Sequence, residues 1–274
     1  MNRSRSRRLP LLFLIAAAAS PGPLRAEPPS GFPHEAWTRV LGKFVDERGR
    51  VDYRALAAGR TELDRVLARI AREGPRRTPE KFPEKNDRLA YYLNAYNALV
   101  FEGVLKRGPE PESVWKGGFV SGWSFFVGMK VRLDGEETNL KALEDKVIRK
   151  GFADPRVHAA LNGASLGCPR LPREAFEPAR LDTQLDAAMT AFVEEERNVS
   201  VDAASSTVTL SMIFDWFEKD FLAYEKPRWD PSKARERDES NVLDYINRYR
   251  RSKPAVDRRF RVRYADYDKR INAR

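Results

Sequence analysis

The only cysteine, Cys168, follows one of two histidines, His158, by ten residues in a run that opens Asp154-Pro155-Arg156-Val157-His158 and closes Gly167-Cys168-Pro169. A thiol beside an imidazole is the equipment of nucleophilic acyl chemistry, in which the imidazole takes the thiol proton and the thiolate attacks a carbonyl carbon. On one continuous helix ten residues at ~1.5 Å each would hold the pair roughly 15 Å apart, too far for proton transfer. Contact therefore requires the chain to reverse, and Asn162-Gly163 and Gly167 are turn-forming residues. Asp154-Pro155 can open a short helix containing His158, while Val157 to Leu161 can equally form a strand. Pro169 in a first helical turn would make Cys168 an N-cap, which favours thiolate; Pro172 argues instead for a helix starting near Arg173. The non-catalytic alternative is a buried thiol packed beside a hydrogen-bonded core histidine. On the residues alone both stay open.

Such a site also needs a group to orient the imidazole and donors for an oxyanion. Glu144, Asn94 and Asn97 are the candidates for the first role; the backbone N–H of Cys168 and an asparagine amide are the candidates for the second. The competing role of both amides is hydrogen bonding to neighbouring backbone. His34 lies far away in sequence and is expected at the surface. Two histidines and one cysteine cannot close a structural zinc site without carboxylates, and no paired ligand spacing occurs. Nor is there a GxSxG elbow, a phosphate-binding glycine loop or a dinucleotide fingerprint, so no cofactor or metal is expected.

The elements that must position these residues are helical first. Trp37, Val40, Leu41 and Phe44 share one face, as do Leu63, Val66, Leu67 and Ile70. After Asn86-Asp87, expected as caps, Leu89, Leu93, Tyr96 and Val100 recur at helical spacing, with Asn94 and Asn97 on the flank of that stripe. From Phe119 to Leu133 the pattern turns β-rich, with Gly128-Met129 suited to a hairpin turn and Asp134-Gly135 closing the next strand. Thr138 or Asn139 can cap a helix burying Leu140, Leu143, Val147 and Ile148 and stopping near Gly151. Val208 to Leu210 reads as a strand leading through Ser211 into a helix with Ile213, Trp216 and Phe217 inward. Val242, Leu243, Ile246 and Tyr249 mark a further helix, and Phe260, Val262 and Tyr264 alternate with arginines as a late strand. This order predicts a single α+β domain, helices packed on a small antiparallel sheet.

Several of these segments together resemble the domain-of-unknown-function family DUF547. They are Gly49 to Tyr53, Tyr91-Tyr92-Leu93-Asn94-Ala95-Tyr96-Asn97-Ala98-Leu99, Leu140 to Arg149, Asp154 to Pro169, Leu210 to Phe217 with Asp220-Phe221, and Tyr264 to Asn272. The resemblance implies similarity to papain-like and transglutaminase-like cysteine enzymes, with Cys168 and His158 at the positions matching the family's cysteine and histidine. After Glu144 the chain carries Asp145, where relatives often have a second histidine, so a scheme built on that histidine does not carry over.

Composition frames the setting. Arg3, Arg5, Arg7 and Arg8 precede a short apolar core, Leu11 to Ala19, as in a signal peptide, with the cut expected after Ala26. Residues 27–274 then form the exported domain, secreted or periplasmic, with no later spanning segment. Removing the leader leaves 45 basic and 40 acidic groups, and from Glu225 onward the count is 16 basic to 9 acidic. An exported chain rarely meets nucleic acid, so none is expected; a peptide or envelope partner is. Two functions follow: a cysteine hydrolase or acyl transferase acting on peptides or amides, or a non-catalytic envelope protein binding a protein or cell-wall partner.

Overall fold

The computed structural model describes residues 31–108, 111–115, 124–225 and 242–274. The expected leader and the first residues of the expected β-rich stretch, 119–123, lie outside the described residues.

The first helices follow their apolar spacing. Helix α1, His34–Phe44, buries Trp37, Val40, Leu41 and Phe44. A short α2, Tyr53–Ala58, is capped by Asp52, and α3, Thr61–Ile70, buries Leu63, Val66 and Ile70. Helix α4, Lys85–Lys106, is of another kind: every residue from Leu89 to Phe101 is buried, so it is a core element enclosed on all sides. It starts one residue before Asn86, because Glu84 and Asp87 form a reciprocal capping box in which the Glu84 N–H donates to Asp87 Oδ2 at 2.8 Å. Asn94 and Asn97 are therefore interior, and interior amides must find partners.

The hairpin lies later than its sequence suggests. Ser124–Gly128 is a π-helical turn; β1, Val131–Leu133, pairs antiparallel with β2, Glu136–Thr138. The turn is Asp134-Gly135, with φ of +54° and +80°, the left-handed pair that a two-residue connection demands. The Asp134 carboxylate accepts the N–H groups of Arg76 and Arg77 at 2.7 and 2.9 Å, fastening the hairpin to the loop after α3.

Asn139 caps the next helix, its side chain accepting the Ala142 N–H at 2.8 Å. This helix, α5, spans residues 140–152: α-helical turns Leu140–Ala142 and Lys150–Phe152 flank a π-helical segment, Leu143–Arg149. It ends at Ala153, which takes a left-handed conformation. A 3₁₀ turn, Pro155–Ala159, leads into an extended loop, and α6, Leu181–Glu194, follows.

Strand β3, Val199–Asp202, pairs antiparallel with β4, Thr207–Leu210, and β5, Arg261–Tyr264, joins β4 in parallel. That sheet is thus mixed, because the chain passes through helices before returning to its edge. Ser211 caps α7, Met212–Trp216, as expected, but Trp216 is 47% exposed; Ile213 and Phe214 fill the inward positions of this short helix. Helices α8, Glu218–Glu225, and α9, Val242–Tyr249, complete the described elements, α9 burying Val242, Leu243, Ile246 and Tyr249. The protein is α+β. No helix among the described residues is long and apolar enough to cross a membrane.

Two apolar clusters result. One surrounds α4, with Trp37, Tyr53, Tyr91 and Phe101; the other joins α6 to the mixed sheet and last helices through Phe192, Phe214, Phe221 and Tyr245. The Pro155–Ala159 turn lies across their boundary: Val157 belongs to the first and Ala159 to the second. His158 sits between them.

Candidate functional site

The loop from His158 to Cys168 reverses as the spacing requires. Asn162 organises it, its Oδ1 accepting the Ala164 N–H at 2.8 Å and its Nδ2 donating to the Pro169 carbonyl at 2.7 Å. The C-terminal segment lies over it as a strap: Leu166 and Gly167 donate to the carbonyls of Arg270 and Asp268, and Asn272 donates from Nδ2 to Asn162. Gly167 makes this approach feasible, since a Cβ there would stand 2.8 Å from the Tyr267 ring.

Cys168 does not cap a helix; the chain runs on without one until the 3₁₀ turn Pro178–Arg180. Its own N–H donates to the Ser165 carbonyl at 3.0 Å, which removes that group as an oxyanion donor in this conformation. The sulfur accepts the Gly163 N–H at 3.1 Å and lies 2.9 Å from the Tyr267 hydroxyl. Cys168 is 7% exposed, and burial pushes its thiol pKa up, against which the Tyr267 hydroxyl pulls down.

His158 is held at one edge and one face. Its Nε2 lies 2.8 Å from Asp220 Oδ2, and its ring stacks on Phe217 with centroids 3.9 Å apart. Arg149 donates to the same Asp220 oxygen at 2.7 Å and covers the Phe217 ring. Burial raises the cost of the Asp220 charge, but the hydrogen bonds from His158 and Arg149 outweigh it and hold the carboxyl at about 2. Burial lowers the His158 pKa and outweighs Asp220, so the imidazole is neutral at pH 7. An ionised carboxylate only accepts, so Nε2 carries the proton and Nδ1 keeps its lone pair. Nδ1 makes no hydrogen bond among the described residues.

Thiol and imidazole line one cavity of about 350 Å³, together with Glu144, Tyr96 and Tyr267. Its apolar walls include Trp115, Phe126 and Trp216. No hydrogen bond joins Cys168 to His158 among the described residues. Glu144 projects from the π-helical segment of α5, meets the Tyr96 hydroxyl at 3.4 Å and is pushed up by burial to about 7. The next residue, Asp145, pairs instead with Lys141 and Arg149.

The structure thus brings Cys168, His158 and Glu144 to one cavity and gives Asn94 and Asn97 to the backbone. Asn94 exchanges two bonds with Phe176, at 2.8 and 2.9 Å. Asn97 donates to the Ala160 carbonyl and accepts the Asn162 N–H, both at 3.0 Å, bracing the loop between histidine and cysteine. The group on the imidazole is Asp220, 62 residues beyond His158, with Tyr267 on the thiol. Both lie in segments that carry the resemblance, but only the fold shows which side chain each meets. His34 is half-buried against Phe32, not fully at the surface, and burial lowers its pKa. No group of three metal-ligating side chains occurs among the described residues.

Residues 79–193 match the family model of DUF547, a protein of unknown function. The match supports the DUF547 family and covers less than half of the 274 residues. It contains Asn94, Asn97, Glu144, His158 and Cys168, while Asp220 and Tyr267 lie beyond its C-terminal end. No curated protein and no solved structure matches the chain.

Proposed function

We propose that this DUF547 chain is an exported cysteine-nucleophile enzyme that cleaves or transfers acyl groups of amides. One observation carries the reading: a neutral imidazole, fixed at Nε2 by an ionised Asp220, shares its cavity with the chain's only thiol. Nδ1 of His158 takes the Cys168 proton, and the sulfur attacks the amide carbonyl carbon. The carbon–nitrogen bond then breaks, the imidazolium returns its proton to the departing amine, and water or a second amine releases the thioester and restores the thiol. The Gly163 N–H and the Tyr267 hydroxyl, both against the sulfur, are the donors nearest a developing oxyanion. Asp220 and Arg149 position the imidazole, and Glu144 offers a protonated carboxyl near pH 7. Export rests on the arginine-rich leader with its apolar core.

The resting thiol is neutral and bonded to Tyr267, which also suits a protein that only binds a partner. Acyl trapping separates the two. The full chain is incubated with activated acyl arylamides, and intact mass is recorded for wild type, Cys168→Ser and His158→Ala. The expected result is one acyl adduct on wild type, none on Cys168→Ser and a strongly reduced yield on His158→Ala. No adduct on a folded wild type whose thiol iodoacetamide still labels would sink the enzyme reading and leave the binding one.

A further inference from the structure

Cys168, Pro169 and Tyr267 also line a second cavity, of about 490 Å³, whose character is opposite to the first. Five arginines, Arg48, Arg50, Arg170, Arg197 and Arg270, line it against two acids, Asp266 and Asp268. Three of the five are already engaged: Arg170 and Arg197 pair with Glu195, and Arg270 pairs with Asp268. Arg48 and Arg50 form no ion pair among the described residues. Their loop is nonetheless built. Asp46 Oδ1 accepts both of their backbone N–H groups, at 2.9 and 2.8 Å, and Gly49, at φ +73°, packs so closely that a Cβ would lie 2.7 Å from the Leu171 nitrogen.

We infer that this arginine-lined cavity holds a carboxylate on the acyl side of the substrate, with Arg48 and Arg50 as its partners. The orientation follows from the proposed acyl chemistry, on which this inference rests. His158 must reach the departing nitrogen and lines only the apolar cavity of the two, so the amine side of the amide lies there, among Trp115, Phe126 and Trp216. With the carbonyl at the sulfur, the acyl side extends into the polar cavity. Two unpaired guanidinium groups favour an anion there, and forked N–H donors suit a carboxylate. The two aspartates disfavour a dianion such as phosphate. The substrate class is thus an amide whose acyl group bears a second, free carboxylate and whose amine is apolar or aromatic.

Two measurements on the full chain test it separately from the chemistry. Glutaryl-4-nitroanilide, its methyl ester and butyryl-4-nitroanilide are compared as substrates, and glutarate, glutaramide and inorganic phosphate are titrated by calorimetry. The free acid is expected to exceed its ester and the butyryl compound in kcat/KM by roughly tenfold or more, the scale of one charge-assisted contact. That preference is expected to vanish in Arg48→Gln/Arg50→Gln and to return in Arg48→Lys/Arg50→Lys in part. Glutarate should bind, glutaramide should not, and the Gln double variant should lose glutarate binding by roughly tenfold while keeping the wild-type circular dichroism spectrum. Equal turnover of the three substrates, or tighter binding of phosphate than of glutarate, overturns the carboxylate site. If none is turned over but glutarate binds through the two arginines, the acyl chemistry falls and the anion site stands.

Discussion

Asp220 Oδ2 receives two donors at once, the His158 imidazole at 2.8 Å and the Arg149 guanidinium at 2.7 Å. Sharing keeps the carboxylate ionised without making the histidine a cation, because burial outweighs the remaining attraction. Asp220→Asn keeps the shape and removes the charge, and an amide can present either donor or acceptor to Nε2, so the tautomer is no longer fixed. We expect the acylation rate of Cys168 to fall roughly 10²-fold or more. Urea stability at pH 7 should drop by about 1.5–3 kcal/mol, the range for a hydrogen bond to a charged group. An unchanged trapping rate in a folded Asp220→Asn would remove Asp220 from its positioning role. At the sulfur, Tyr267→Phe deletes the hydroxyl 2.9 Å away that pulls the thiol pKa down. Its alkylation by iodoacetamide at pH 8 should therefore slow relative to wild type, with the rate-against-pH curve displaced upward. Faster labelling would mean that the ring acts as a cover and not as a donor.

At the scale of elements, the loop that brings histidine and cysteine together hangs on α4 through Asn97, which meets Ala160 and Asn162 with both ends of its amide. Asn97→Ala strands a buried carbonyl and a buried N–H. A loss of about 2–4 kcal/mol in urea midpoint analysis is expected, from two interior groups left unmatched. Thiol labelling in the folded state should become faster as the loop loosens; a variant as stable as wild type would show that water or a shifted neighbour takes over. This brace marks the boundary of what the sequence shows. Apolar periodicity located α1, α3 and α9 because each has one wet face. Of the two turn sites suggested by residue type, the chain turns at Leu166-Gly167, closed by the Cys168 N–H on the Ser165 carbonyl, while Asn162 acts through its side chain. Helix α4 carries the same period yet is enclosed on all sides, so periodicity placed the two asparagines on a flank that does not exist. The π-helical segment that carries Glu144 and Arg149 has no signature in spacing, and the hairpin formed at Asp134-Gly135 because only that pair adopts the left-handed turn. Asp220 and Tyr267 were visible as parts of recurring segments, but pairing across 62 and 99 residues is set by tertiary packing.

For the whole molecule, His158 and Glu144 in one cavity, with Asp220 hydrogen-bonded behind the imidazole, set opposite slopes of stability against pH. His158 has its pKa lowered from 6.5 by burial, so below that value the unfolded chain binds a proton that the folded one refuses, and stability falls on acidification. Asp220, held at about 2 against an ordinary 3.8, adds a second loss as pH drops through that interval. Glu144 has the other sign: raised from 4.5 to about 7, it binds its proton more tightly when folded, so stability falls as pH rises across that interval. Below about 6.5 the histidine contribution opposes that of the glutamate, so wild-type thermal stability should fall with rising pH less steeply than the glutamate alone would make it. Glu144→Gln keeps a hydrogen-bonding partner for Tyr96 and removes only the titration. Its Tm should rise from pH 5 to pH 6.5 as the histidine slope is unmasked, and its advantage over wild type should widen further up to pH 8, where the native carboxylate is charged inside the cavity. Scanning calorimetry of both proteins at four pH values checks this, and a constant Tm difference would show that Glu144 ionises in the fold as it does in water.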